Sequence, residues 1–296
     1  MRFADIGQQL RAYRLESGLR AEEIAARLGV SRAALYRYEK GEVIKLDTIR
    51  RLAELLKISP LSLLGIGVDY FTRPTAFQER LRQIEETADQ ILIVGGALVY
   101  QVSTDALDGA LAEALAEAAD MLPGTERATA RAAADQMMGL LASRKKLHQQ
   151  RRPTIIGILA EGALRRMLVE GIAPGLALSD RTRQRCRDAA RTEAEAIAAL
   201  METVPIGVQL GLFPGPDPVG SFQVLRGRER AHVVGNPFVP DASPSTAIGV
   251  AMVTSADEAV TIHQRVAENA WREALKGTAA AERVRALVRE TAAAAD

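Results

Sequence analysis

Residues 21–38 read AEEIAARLGVSRAALYRY, and the fold of the N-terminal region turns on this stretch. A small residue, Ala25, stands where a larger one would hold a second helix off. Gly29 follows one turn later and supplies the positive φ that ends a helix. Ser31 is a side-chain cap for the next helix. Ile24, Leu28, Val30, Leu35 and Tyr38 make one apolar side of the pair. Arg32, Ala33, Tyr36 and Arg37 recur at i, i+1, i+4, i+5 and fall on the opposite, solvent-facing stripe. The spacing predicts two short helices crossing closely through a three-residue turn.

The pattern extends on both sides, with LR-x-x-R at Leu10–Arg14, Gly18-Leu19, E-x-A-x-x-L-G-V-S at Glu23–Ser31, Y-E-x-G at Tyr38–Gly41, and a closing SPLSLLG at 59–65. Together these resemble the XRE-type, Cro/repressor-like helix-turn-helix domain of bacterial and phage regulators. The resemblance covers about the first fifth of the chain. It implies five short helices, a second helix of the pair lying in the major groove, and a double-stranded DNA operator as partner. On that reading the DNA contacts are Arg20, Ser31, Arg32, Ala33, Tyr36, Arg37 and, just past the helix, Lys40. It also pairs Arg14 with Glu39. The family usually has Ser or Thr, then Gln, where this chain has Arg20 and Ala21, so the usual cap and a Gln contact to the DNA backbone are missing.

Charge separates a DNA-binding pair from one that only packs. Residues 1–68 carry 12 Lys and Arg against 8 Asp and Glu, whereas the rest carries 26 against 29. The whole-chain net of +1 hides this asymmetry. A local excess of positive charge matters because neutralising phosphates releases condensed counterions, which supplies most non-specific affinity.

Composition sets wider bounds. With 296 residues, 48% hydrophobic and 25% charged, the chain has room for two domains. The longest apolar run, ILIVGGALVY at 91–100, is half of what a membrane span needs. The N-terminus MRFADIGQQL has no apolar targeting core, so a cytoplasmic location with no membrane partner is expected. Cys186 is the single cysteine, which forbids an internal disulfide. Its arginine-rich surroundings, RTRQRCRDAAR, offer a redox-sensing thiol as the alternative to an inert helix residue.

Beyond Gly65 and Gly67, residues 68–89 read as a connecting helix interrupted near Pro74. The expected domains are therefore 1–67, a connector over 68–89, and 90–296. Strand signals at 91–96, 154–160, 206–213, 221–227, 231–238 and 247–254 are rich in β-branched residues and bounded by Gly or Pro. Helical patterns fill 104–120, 125–150, 161–170, 179–203, 255–276 and 279–294. This alternation predicts an all-α five-helix domain followed by an α/β domain, a mixed sheet covered by helices with an antiparallel edge. The second half also resembles catalytically dead phospholipase D-like effector domains. Active members need His-x-Lys, and His232 is followed by Val234 where Lys belongs, so that resemblance implies lost chemistry.

No catalytic or metal cluster emerges. The three histidines, at 148, 232 and 263, are not at ligand spacing, and Gly95-Gly96 lacks the third glycine of a dinucleotide fingerprint. No cofactor, no metal and no enzymatic activity are expected. Arg151 and Arg152 at the mouth of the 154–160 strand, with Gln209 and Asn236, are the candidate effector-binding residues. Residues 144–146 and the alternating arginines 181–187 read as solvated helix faces. The expected whole is a homodimeric transcription regulator, with a small-molecule effector in the C-terminal domain. Dimer contacts are assigned to the last two helices, and a fragment 1–68 is expected to stay monomeric and bind DNA weakly. An antitoxin-like or scaffolding module, or an enzyme regulating its own operon, stands as the alternative.

Overall fold

Gly29 adopts φ 70°, and the turn it makes sets the N-terminal architecture. Its N–H donates to Ala26 O at 3.2 Å and the N–H of Val30 to Ala25 O at 3.0 Å, satisfying carbonyls that the helix end would leave open. The computed structural model describes residues 3–64, 67–215, 220–238, 245 and 247–293. In it the first five helices are α1 (Phe3–Ser17), α2 (Ala21–Leu28), α3 (Arg32–Glu39), α4 (Leu46–Leu56) and α5 (Pro60–Leu63). Leu10, Ile24, Leu35, Leu52 and Leu63 fill their common core and are fully buried. Gly7 is the contact point of α1 with α3. A Cβ there would lie 2.6 Å from the carbonyl oxygens of Tyr38 and Glu39.

The larger part of the chain runs β1 (Val68–Phe71), α6 (Pro74–Glu85), β2 (Ala88–Val94), a short 3-10 turn at Tyr100–Val102, α7 (Asp105–Asp120), α8 (Gly124–Arg151), β3 (Thr154–Ala160), α9 (Glu161–Glu170), α10 (Asp180–Thr203) and β4 (Val208–Phe213). It ends with β5 (Phe222–Gly227), β6 (Ala231–Gly235), β7 (Ala251–Thr254), α11 (Asp257–Glu273), β8 (Leu275–Lys276) and α12 (Gly277–Ala293). One eight-stranded sheet has the order β1-β7-β6-β5-β2-β3-β4-β8. β2, β3 and β4 are parallel neighbours. β5, β6 and β7 form the expected antiparallel side, β1 adds an unexpected edge strand beyond β7, and β8 closes the other edge antiparallel to β4.

Alternation along the central strands divides the two faces. Ile91, Ile93, Ile155 and Leu159 enter the main core beneath the helices. Val94 and Ile158 point the other way, to Ala267 of α11, and Val224 and Val233 meet Val260 of the same helix. α12 goes into the main core, with Val284 and Leu287 fully buried. That corrects the placing of its apolar residues at a dimer interface, because the sheet and α10 need them.

The connector also needs correction. Residues 68–89 do not form one interrupted helix: Val68–Phe71 is an edge strand paired with β7, and Pro74 opens α6 instead of breaking it. The second domain thus begins at Val68. α1 belongs to both domains. Leu10 and Tyr13 sit in the small core, whereas Ala12 is buried in the large one and Leu15 packs against it. The Tyr13 ring stacks on Phe71 with centroids 6.0 Å apart.

Candidate nucleic-acid interface and ligand cavities

The candidate DNA-reading surface is built on α3. Ser31 Oγ accepts from Ala34 N–H at 3.1 Å, which starts the helix so that Leu35 turns inward. Arg32, Ala33, Arg37 and Lys40 are then exposed and Tyr36 is half-buried, which brings the predicted contact residues onto one surface. Arg32 is held on that surface by three contacts. It pairs with Glu22 at 2.7 Å, donates to the Tyr36 hydroxyl at 3.2 Å, and lies 5.3 Å from the Tyr36 ring centroid. Arg37 pairs with Glu42 at 3.4 Å. Such exposed pairs are weak in water, so exchanging Glu22 or Glu42 for a phosphate or a guanine edge costs little.

Arg20 precedes α2 and is exposed. The Glu23 carboxylate accepts from Arg20 N–H at 2.8 Å. The reciprocal half of a capping box is missing, because a guanidinium offers no acceptor. Arg14 of α1 forks onto Glu39 at the end of α3, Nε to Oε1 at 2.5 Å and Nη2 to Oε2 at 3.1 Å. The hydrogen bond to Glu39 raises the pKa of Arg14 further.

The candidate ligand residues of the second domain are not brought together. Asn236 follows β6, accepts from Phe238 N–H at 2.9 Å, and lines a cavity of about 450 Å³. Arg151 and Arg152 lie at the opposite, amino end of β3. Arg151 pairs with Asp89 at 3.6 Å, and Arg152 is the left-handed, exposed residue that ends α8. Gln209 is exposed on β4 and is not part of that cavity.

The cavity opens at the carboxyl ends of β2 and β3, where β5 runs beside β2 in the opposite sense. Open α/β sheets bind ligands at such positions. Gly95 and Gly96 leave β2 with φ 84° and 80°, and nothing lies within 4 Å of where a Gly96 Cβ would stand. Leu107, Leu111 and Met167 contribute apolar wall. Polar groups come from Gln78, Gln101, Arg144 and Gln223, all but the last buried. Arg144 donates to both oxygens of Glu85, at 2.8 and 2.7 Å, and to Gln78 Oε1 at 2.7 Å. Gln101 Nε2 donates to the same carboxylate at 2.7 Å. Gln223 Oε1 is buried without a hydrogen-bond partner.

Residues 144 and 145 are thus not a solvated basic face. Arg144 is buried on Glu85, and Lys145 is buried with its ammonium 2.5 Å from Asp108. Cys186 is buried, and that burial pushes its thiol pKa up, the wrong direction for a redox sensor. Val234 is fully buried, so the position where a phospholipase D-like lysine would hold phosphate faces the core. Among the described residues no trio of His, Cys, Asp or Glu is placed to hold a metal, and no helix is long and apolar enough to cross a membrane.

Residues 5–63 match the family described as Helix-turn-helix domain. The match agrees with the five helices and the exposed α3, and the chain carries an N-terminal helix-turn-helix domain of the DNA-binding type. No curated protein and no solved structure matches the chain.

Proposed function

We propose that this chain is a transcription regulator of the XRE type that reads a two-fold DNA operator as a homodimer and responds to a small molecule bound in its C-terminal domain. The observation that carries the reading is the stripe of α3, where Arg32, Ala33 and Arg37 stand exposed on a helix whose other face is locked into the small core. Arginine reads guanine through O6 and N7, and alanine meets a thymine methyl. The effector belongs in the 450 Å³ cavity at the strand ends, whose apolar walls and few convergent polar groups fit a small-molecule site. The outer face of α11, with Ile262 and Val266 about half exposed, is the dimer contact in this reading. No enzymatic step is assigned to the chain.

Selection of bound duplexes from a random pool tests the DNA reading. Half-sites about 10 bp apart, related by two-fold symmetry, are expected. Recovery of no enriched sequence would overturn it.

A further inference from the structure

Beside the strand-end cavity four buried side chains form one hydrogen-bonded chain, from Gln78 to Arg144 to Glu85 to Gln101. Their order fixes both amides. Gln78 turns its oxygen to a guanidinium, which only donates, and Gln101 turns its nitrogen to a carboxylate, which only accepts, so neither amide can flip without losing its bond. One donor, Gln78 Nε2, and one acceptor, Gln101 Oε1, are left over. Neither has a hydrogen-bond partner among the described residues. Neither is sealed off in the way that Gln223 Oε1 is, so each keeps accessible surface. Gln78 and Gln101 line the cavity and Glu85 does not. The other void that Gln101 borders measures about 10 Å³, room for one water at most.

The charges around the cavity cancel. Arg144 lines it as well, but both oxygens of Glu85 already answer that guanidinium. Arg166 and Glu170, the other ionic groups of the lining, are one of each sign and exposed. The Tyr100 hydroxyl is committed to Asp108 at 2.7 Å. A carboxylate brought in would meet Gln101 Oε1 and the charge of Glu85, and an ammonium would meet Arg144 and the amide N–H groups of Gln78. Neither ion would recover its hydration among Leu81, Leu107, Leu111, Leu141 and Met167. An uncharged group with an acceptor beside a donor suits both amides.

We infer that the effector carries a carboxamide, open-chain or lactam, on an apolar body, its carbonyl oxygen accepting from Gln78 Nε2 and its N–H donating to Gln101 Oε1. This rests on the reading that the effector occupies the strand-end cavity, and adds the chemistry of its head group.

Thermal shift and calorimetry on the full chain test it with probes that share one body: 4-phenylbutanamide, methyl 4-phenylbutanoate, 4-phenylbutanoate and 4-phenylbutylamine. The amide should raise the melting temperature and bind about tenfold tighter than the ester, which has no N–H for Gln101. The acid and the amine should bind more weakly still. Gln78→Glu keeps an acceptor for Arg144 and removes the donor, and should weaken the amide about tenfold or more. Gln101→Leu leaves the fork between Arg144 and Glu85 in place and should level the amide with the ester. No binding by the amide would overturn the inference. So would an acid or amine that binds at least as tightly, or an amide affinity that both variants leave unchanged. If the amide fails while a metabolite of another class gives a shift that Gln78→Glu abolishes, the cavity remains the effector site and the head group alone is wrong.

Discussion

Arg14 and Glu39, 25 residues apart, share a two-pronged hydrogen bond that ties the first helix of the domain to the last residue of the DNA-reading helix. Their side chains are 15% and 7% exposed, so each ion depends on the other for solvation. Glu39→Ala should cost about 3–5 kcal/mol, because it strands a mostly buried guanidinium. Arg14→Lys should recover only part of the wild-type stability, since an ammonium has no fork to match the carboxylate. Urea denaturation of the two variants reads both numbers, and a loss below about 1 kcal/mol for Glu39→Ala would place the pair among ordinary surface contacts.

Gly7→Ala tests the other contact between the same helices. Its Cβ would meet two backbone carbonyl oxygens at 2.6 Å, which no rotamer change relieves. A loss of about 1–3 kcal/mol is expected from overpacking, together with weaker DNA binding, because α3 must move away. Thermal melts and fluorescence anisotropy on duplex DNA measure the two effects. An unchanged melting temperature would mean that α1 and α3 are farther apart in solution.

Arg32→Ala and Arg37→Ala separate reading from holding. On the selected operator each should lose about 1–3 kcal/mol of binding, and much less on random duplex. Equal losses on both would reduce these side chains to phosphate contacts, and the salt dependence of binding should then fall by about one unit of slope for each.

Ile262→Asp with Val266→Asp addresses the dimer. Both side chains stand outside the chain's own core, so the fold should survive. Light scattering is expected to give a monomer with weakened operator binding, and a dimer of unchanged mass would move the contact elsewhere.

His148 should give the stability a pH dependence. Burial holds its imidazole below the ordinary histidine range, with Glu85 opposing in part, and its Nδ1 is buried without a hydrogen-bond partner. The unfolded chain therefore takes up the proton first as the pH drops through about 6.5, and stability falls over that interval. His148→Leu should flatten the stretch between about pH 7 and pH 5. If the denaturation midpoint declines as steeply in the variant, other groups carry the effect.

Where one residue type repeats at a clear period, sequence reading succeeded: the pair around Gly29, the run TIIGILA as β3, and the long α8 and α10 were all legible. β1 was missed because four residues with an aspartate on the inward side, Val68–Phe71, carry no apolar alternation; Asp69 is buried and bonded to Gln9 and Tyr13, more than fifty positions away. β8 is two residues long, below any periodic signal. α6 misleads for a related reason. Its buried side includes Gln78, Glu79, Arg80, Gln83 and Glu85, which composition alone assigns to solvent. The partners of Gln78 and Glu85, Arg144 and Gln101, lie on distant elements, and Asp69, the partner of Arg80, lies on β1. The same difficulty hides Gln78 and Gln101, which line the strand-end cavity without any signal in the sequence, whereas Arg151 and Arg152 at the other end of β3 are conspicuous.

The double membership of α1 bears on how this protein is handled and on how its two parts are joined. A cut between residues 64 and 67 would leave Ala12 and Leu15 facing water and remove Asp69 from the Gln9 amide and the Tyr13 hydroxyl, so the excised N-terminal piece would be a domain with one wall torn off, not the self-sufficient fragment its sequence suggests. In the intact chain α1 is therefore a shared wall: it packs into the large core at Ala12 and Leu15 and meets the reading helix at Gly7 and at Arg14, so the two parts are joined by a packed helix and not by the chain between residues 64 and 67 alone.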